Sequence, residues 1–166
     1  MTALTIDELQ AWVERTTLGW RQLVAKNPQM LSLPCDVRET SSVAQLLQHI
    51  VAVELRYAQR LRGLPQSDYS TIPYGSSEEI FATHDRAMEL LRGLPEWSPA
   101  EWEEILEFPT RSAGTLRASR RTILVHLFTH SIRHYAQLAT LARHHGVRPD
   151  WEMDYLFMGL EQSSSA

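Results

Sequence analysis

The sequence predicts an all-α fold: a four-helix bundle with long crossover connections and a small hairpin or short helix ahead of the last long helix. Three observations carry that expectation. Four long stretches place apolar residues at helical spacing, three of them open on a Ser/Thr capping signal, and no strong alternating strand pattern competes with them. A chain of 166 residues with 43% apolar and 22% charged side chains fits one domain over its whole length, and it is long enough to bury a substantial core.

Thr5 and Glu8 form a capping box for the first helix, in which Leu9, Trp12, Val13, Thr16, Trp20 and Leu23 share a stripe up to about Lys26. Gly19 is a weak point inside it. Met30 to Thr40 reads as a loop, and Ser42 with Gln45 opens a second helix over roughly Val43 to Arg62, closed by Gly63. The connection from Gly63 to Gly75 is long for simple antiparallel neighbours and suggests a crossover. Ser76 with Glu79 caps a third helix reaching about Leu94. Ser98 followed by Pro99 marks a short helix to Glu104. Ile105 to Phe108 and Thr115 to Arg117 then read as a hairpin that needs the bundle for support. The fourth long helix runs from Arg120 to Gly146; Trp151 to Leu160 is apolar enough to dock as a short last helix, and Gln162 to Ala166 should fray.

The fourth long helix carries five of the seven histidines. His126, His130 and His134 stand four residues apart, so they drift only about 40° per step and share a face with Ile123, Gln137 and Leu141. Imidazoles at that spacing are about 5–6 Å apart at Cβ, close enough for two ring nitrogens to meet one ion at roughly 2.0–2.1 Å. His126 and His134 are about 12 Å apart along the axis and cannot easily share one. A single ion therefore needs one adjacent pair and a group from another helix. His49, at the edge of the second helix's stripe with Arg56 and Arg60 on its flank, and His84, on the third helix's apolar face, are the two candidates. The ordinary alternative for each is a histidine bonded to a carbonyl or to water. His144 and His145 are explained by the helix dipole.

His49 in LLQHIVAVE, followed about eighty residues later by HLFTHSIRHYAQLATLARHHG, resembles the DinB/YfiT-like family of metal-dependent enzymes, whose signature is a helix-two histidine plus HxxxH on the last long helix. The resemblance spans nearly the whole chain and includes the glutamine after the second HxxxH histidine, here Gln137. It implies a divalent metal held by His49, His130 and His134, with His126, Gln137, Arg56 and Arg60 supporting the ligands or meeting substrate, and His84 as a core or rim residue. The family often has a histidine or arginine just after the final ligand. Here Tyr135 and Ala136 stand there, which leaves substrate contacts unassigned.

Three neutral imidazoles leave a divalent ion its full charge and open positions. Such an ion acts as a Lewis acid, lowering the pKa of bound water towards about 7 or ionising a thiol. Zinc is the default, with nickel or iron as alternatives. The expectation is a metal-dependent enzyme of hydrolase or thiol S-transferase type, acting on a small molecule with a low-molecular-weight thiol as cosubstrate, as the resemblance implies. The alternative is a non-catalytic metal- or small-ligand-binding bundle. No general base is evident, since Glu54 lies more than about 100° from His49 on the helical wheel. A net charge of −4 gives no basic field for nucleic acid, and no 18-residue apolar run suggests a membrane span. The lone Cys35 and the acidic, quickly amphipathic N-terminus fit a cytoplasmic protein, and five tryptophans supply surface for a homodimer.

Overall fold

The computed structural model describes residues 4–110 and 113–158. Its long helices are α1 (Ile6–Lys26), α2 (Val43–Leu61), α3 (Ser77–Arg92) and, after the one-turn α4 (Pro99–Trp102) and the strands β1 (Ile105–Pro109) and β2 (Thr115–Ser119), α5 (Arg120–His144). The caps sit where the sequence places them. Thr5 and Glu8 exchange bonds at the start of α1, and the hydroxyls of Ser42 and Ser76 accept from Gln45 N and Glu79 N. Ser119, the last residue of β2, also accepts from Thr122 N, so the hairpin runs directly into α5 with its first turn satisfied.

Helix α2 is central, packing against both α3 and α5. Its contacts fix the directions. His49 meets His130 and His134 while Tyr57 meets His126, so α2 and α5 are antiparallel. Glu54 meets His84, and Arg62 lies against Gly93, so α2 and α3 are parallel. A parallel pair needs a crossover, and the Gly63–Gly75 connection provides it. On its way back it is held to α2 by Arg56 Nη1 to Ser67 O (2.7 Å), Arg60 Nη2 to Gln66 Oε1 (2.6 Å) and Gln48 Nε2 to Ile72 O (2.6 Å).

The apolar interior divides into two clusters. One holds Trp20, Met30, Leu46, Ile50, Phe81 and Tyr135; the other holds Val13, Leu55, Met88, Ile123, Leu127 and Phe128. A buried polar layer lies at this level of the bundle, to which each long helix contributes: Thr17, Glu54, His84 and Ser131. Glu54, 0% exposed, accepts from Ser131 Oγ (2.6 Å) and from His84 Nδ1 (2.7 Å), and Thr17 Oγ1 bonds the Tyr135 hydroxyl (3.1 Å). A carboxylate so far from water costs several kcal/mol unless its oxygens are satisfied, and here both are.

The hairpin pairs Ile105 with Ser119 through Pro109 with Thr115, and Phe108 buries its ring in the second cluster, which supplies the support a two-stranded ribbon needs. The C-terminal segment departs from expectation. Instead of a helix over Trp151 to Leu160, the described part forms only a 3₁₀ turn at Tyr155–Met158; residues 159 and 160, and the expected frayed end at 162–166, lie outside the described residues. The carbonyls of Met153 and Phe157 accept from Trp12 Nε1 and Arg15 Nη1 (both 2.6 Å), and an α-helix would need those acceptors for its own ladder. Trp151 meets the ring of Trp20 edge-on and presses on α1 at Gly19. The glycine that looks like a weak point in the helix is therefore the place where an indole docks.

Two predictions follow from this packing. Gly19→Ala should destabilise the fold by about 1–2 kcal/mol in urea unfolding, although alanine gains about 1 kcal/mol in helix propensity, because its methyl overlaps the Trp151 indole; added to Trp151→Ala, the same change should become stabilising. The second concerns His84. Burial opposes its charge, but the attraction and hydrogen bond of Glu54 outweigh burial and raise its pKa above the ordinary 6.5. A raised histidine pKa gives stability that is complete below pH 6.5 and lost as pH rises through the folded value. Urea midpoints should thus fall with rising pH above 6.5 in the wild type, with a flatter profile in His84→Gln.

Candidate metal centre

The α2–α5 face opposite Glu54 brings His49, His130 and His134 together. One ring nitrogen from each lies within 4.8 Å of the others, forming a group that can hold a metal ion. His49 and His130 approach Nε2 to Nε2 at 3.1 Å, close to the roughly 3.3 Å separating two nitrogens bound tetrahedrally to one zinc ion. His134 donates Nδ1–H to Gln137 Oε1 (2.7 Å), which fixes its tautomer and leaves Nε2 with a lone pair. Arg133 Nη2 lies 3.2 Å from that nitrogen. His130 Nδ1 is buried with no hydrogen-bond partner among the described residues.

Electrostatics favour neutral ligands. Burial, reinforced by the neighbouring His134 and His49, pushes the His130 pKa down to about 2. His134 and His126 are also lowered, burial being the first cause for each; the Gln137 bond partly opposes it at His134. Protonated imidazoles cannot ligate, so the lowered pKa values of His130 and His134 keep their lone pairs available. The donor set fits a divalent ion.

The cluster opens on a cavity of about 880 Å³. His126 lines it one turn before His130, its ring 5.4 Å from both His130 and Tyr57, outside the ligand group. Arg56, Arg60 and Gln137 line it as well, so the residues associated with the site in the sequence share one space. His84 does not; it lies in the polar layer on the other side of α2. Tyr135, which follows the final ligand, is fully buried with its hydroxyl on Thr17 and contributes nothing to the cavity.

Several wall residues were not singled out in the sequence. Arg133 had a signal: seven residues after His126, it returns to within about 20° of it on the wheel. Tyr57 recurs on the second helix's stripe and reads there simply as core. Arg38 had no periodic signal, because it comes from the loop before α2. Arg38 and Glu39 both have left-handed backbone, with φ of 57° and 60°. Such conformations cost about 1–2 kcal/mol each and persist only where the surroundings impose them. Here Cys35 N–Ser41 O and Val43 N–Leu33 O close the loop at its base, and Thr40 bonds back to Val37 O through both its N–H and its hydroxyl. The result places Arg38 on the cavity rim, near enough for its charge to act on His134.

An all-α bundle with a crossover between parallel helices, carrying three histidines that can hold a metal between α2 and α5, defines a class of helical metal-site proteins. The sequence matches the DinB family over residues 5–162, and the chain belongs to that family. No curated protein matches it. Among the described residues, no helix is long and apolar enough to cross a membrane.

Gln137 offers a direct check on the site. Gln137→Ala should weaken zinc binding by about 10- to 100-fold in competition with a chromophoric chelator, because His134 loses the bond that sets its tautomer, while the helical circular-dichroism signal stays unchanged.

Proposed function

We propose that this protein is a metal-dependent enzyme in which His49, His130 and His134 bind a divalent ion, with zinc the default, and that the site activates water or a low-molecular-weight thiol as hydrolase or thiol transferase. The observation that carries this reading is the ligand cluster itself: three imidazoles, one oriented by Gln137, facing a cavity large enough for a small molecule. When bound, such an ion supplies Lewis acidity and stabilises a deprotonated water or thiol.

The chain's own residues supply the rest. Glu54 is turned into the core and fully committed, so it is not the base. His126 is kept largely neutral by burial and stands one turn from His130 on the cavity wall, where it can accept a proton released beside the ligands. Tyr57, against the His126 ring, holds it from the α2 side. The crossover, through Tyr69 near His49, and the hairpin, through Pro109 and Thr110, complete the walls.

The first measurement is elemental analysis of untagged protein purified without nickel resin. Near-stoichiometric metal in the wild type, lost in His134→Ala, is the expected result; wild type that is metal-free and fails to take up added zinc would overturn the reading. With metal established, a panel of thiol cosubstrates and model electrophiles should show metal-dependent turnover that His126→Gln lowers by about 10²-fold or more without loss of metal. Full metal occupancy with no turnover across the panel would favour a non-catalytic binding module.

A further inference from the structure

The charge inside the cavity opposes that of the protein. Twenty acidic residues outnumber sixteen basic ones over the chain, yet among the described residues the cavity wall carries Arg38, Arg56, Arg60 and Arg133 against a single carboxylate, Glu39. Of the ten described arginines outside the cavity, five pair with acids: Arg21 with Asp85, Arg92 with Glu14, Arg117 with Glu107, Arg120 with Glu104 and Arg121 with Glu103. Among the described residues, no carboxylate forms an ion pair with Arg56, Arg60 or Arg133.

Loop anchoring accounts for only part of this. Arg56 gives one N–H to the Ser67 carbonyl, and Arg60 gives Nη2 to Gln66 and, at 3.4 Å, to Pro109 O. These acceptors are neutral and do not cancel the charges. Asp68 is near enough to feel the Arg56 charge, but its carboxylate accepts from the Ser70 N–H and hydroxyl (2.9 and 2.8 Å) and forms no ion pair with Arg56 among the described residues. Arg60 is held between the rings of Tyr57 and Phe108, 4.6 and 3.8 Å from their centroids. Burial lowers its affinity for the proton, Tyr57 opposes that, and Arg56 one turn away adds repulsion. An anion beside this pair relieves the repulsion, and guanidinium groups are suited to two-point contact with carboxylate or phosphate.

We propose that the substrate is an anion, a carboxylate or a phosphate ester, whose charged group docks on Arg56, about two turns along α2 from His49, while its reactive end reaches the three histidines. Arg56 is seven residues from His49 on α2, about 10 Å along the helix axis, so the ligand spans the two with a chain of several atoms. Arg60, one turn from Arg56, holds the field positive and ties the hairpin to α2 through Pro109. Arg133, beside His134, faces the reactive end. The inference takes its reactive end from the metal reading; the anion site rests on the arginines alone.

Three six-carbon thiols test it by isothermal titration: 6-mercaptohexanoate, 6-mercaptohexyl phosphate and the neutral 6-mercaptohexanol. Zinc-loaded wild type should bind one or both anions at least about tenfold more tightly than the alcohol, with the preference shrinking as salt is raised. Which anion is preferred distinguishes a carboxylate from a phosphate substrate. Arg56→Gln should abolish the preference without changing zinc content, Arg56→Lys should retain much of it, and Arg117→Gln, at the exposed Glu107 pair, should leave it intact. Equal binding of anions and alcohol by the wild type, or a preference untouched by Arg56→Gln, would overturn the proposal. Failure of the metal reading looks different: each thiol would bind as tightly without zinc as with it, while the preference for the anions over the alcohol and its dependence on Arg56 persisted.

Discussion

The architecture depends on the hydrogen bonds that bury Glu54. Its side chain leaves α2 into the middle of the bundle, where Ser131 of α5 and His84 of α3 satisfy its two oxygens. Apolar contacts tolerate small rotations of one helix against another, whereas a buried carboxylate does not, because losing either partner exposes it to the full desolvation penalty. The Glu54–Ser131 bond therefore fixes how α2 and α5 are turned towards each other. His49 stands five residues before Glu54, on the other flank of α2, and His130 immediately precedes Ser131. A bond that sets the inner faces thus sets the outer ones, and the three imidazoles meet as a consequence.

The same geometry separates two kinds of histidine chemistry within one bundle. His84, beside a carboxylate, is favoured as a cation and serves as a structural partner. His130, similarly buried but surrounded by other imidazoles and by Arg133, is driven to neutrality. Residue type and burial are alike, and the sign of the neighbouring charge decides which histidine holds helices together and which keeps a lone pair for a metal.

Much of this was legible in the sequence because it is periodic. Helix stripes, Ser and Thr caps and the four-residue histidine spacing are local signals, and each appears where the spacing puts it. The length of the Gly63–Gly75 connection also announced a crossover, which the parallel α2 and α3 require. The choice between His49 and His84 as companion to the HxxxH pair was not legible from spacing. Both lie on or beside apolar stripes; the family resemblance chose His49, and the structure agrees by gathering His49 with His130 and His134 while pairing His84 with a buried acid. The last segment misled for a related reason. Its apolar content suggested a helix, but the carbonyls of Met153 and Phe157 are claimed by side chains about 140 residues away in sequence, which no local pattern records.

The cavity's charge follows from what the fold does with its surface. Acidic residues crowd the exposed faces and helix starts, where water and backbone amides stabilise them, and five arginines go out to meet them. Arg56 and Arg60, on the wall beside the histidines, are held by neutral groups, the Ser67 carbonyl, the Gln66 amide and two aromatic rings, which fix position without cancelling charge. Arg38 is carried to the same wall on a strained left-handed pair of residues, a conformation the loop imposes at a cost in stability. Holding like charges beside three histidines that could hold a metal ion disfavours the folded protein by itself, and a negatively charged ligand would offset that cost. Under the proposal of an anionic substrate, the same field would draw that anion in along the cavity, so selection for charge would begin before any contact with the three histidines is made.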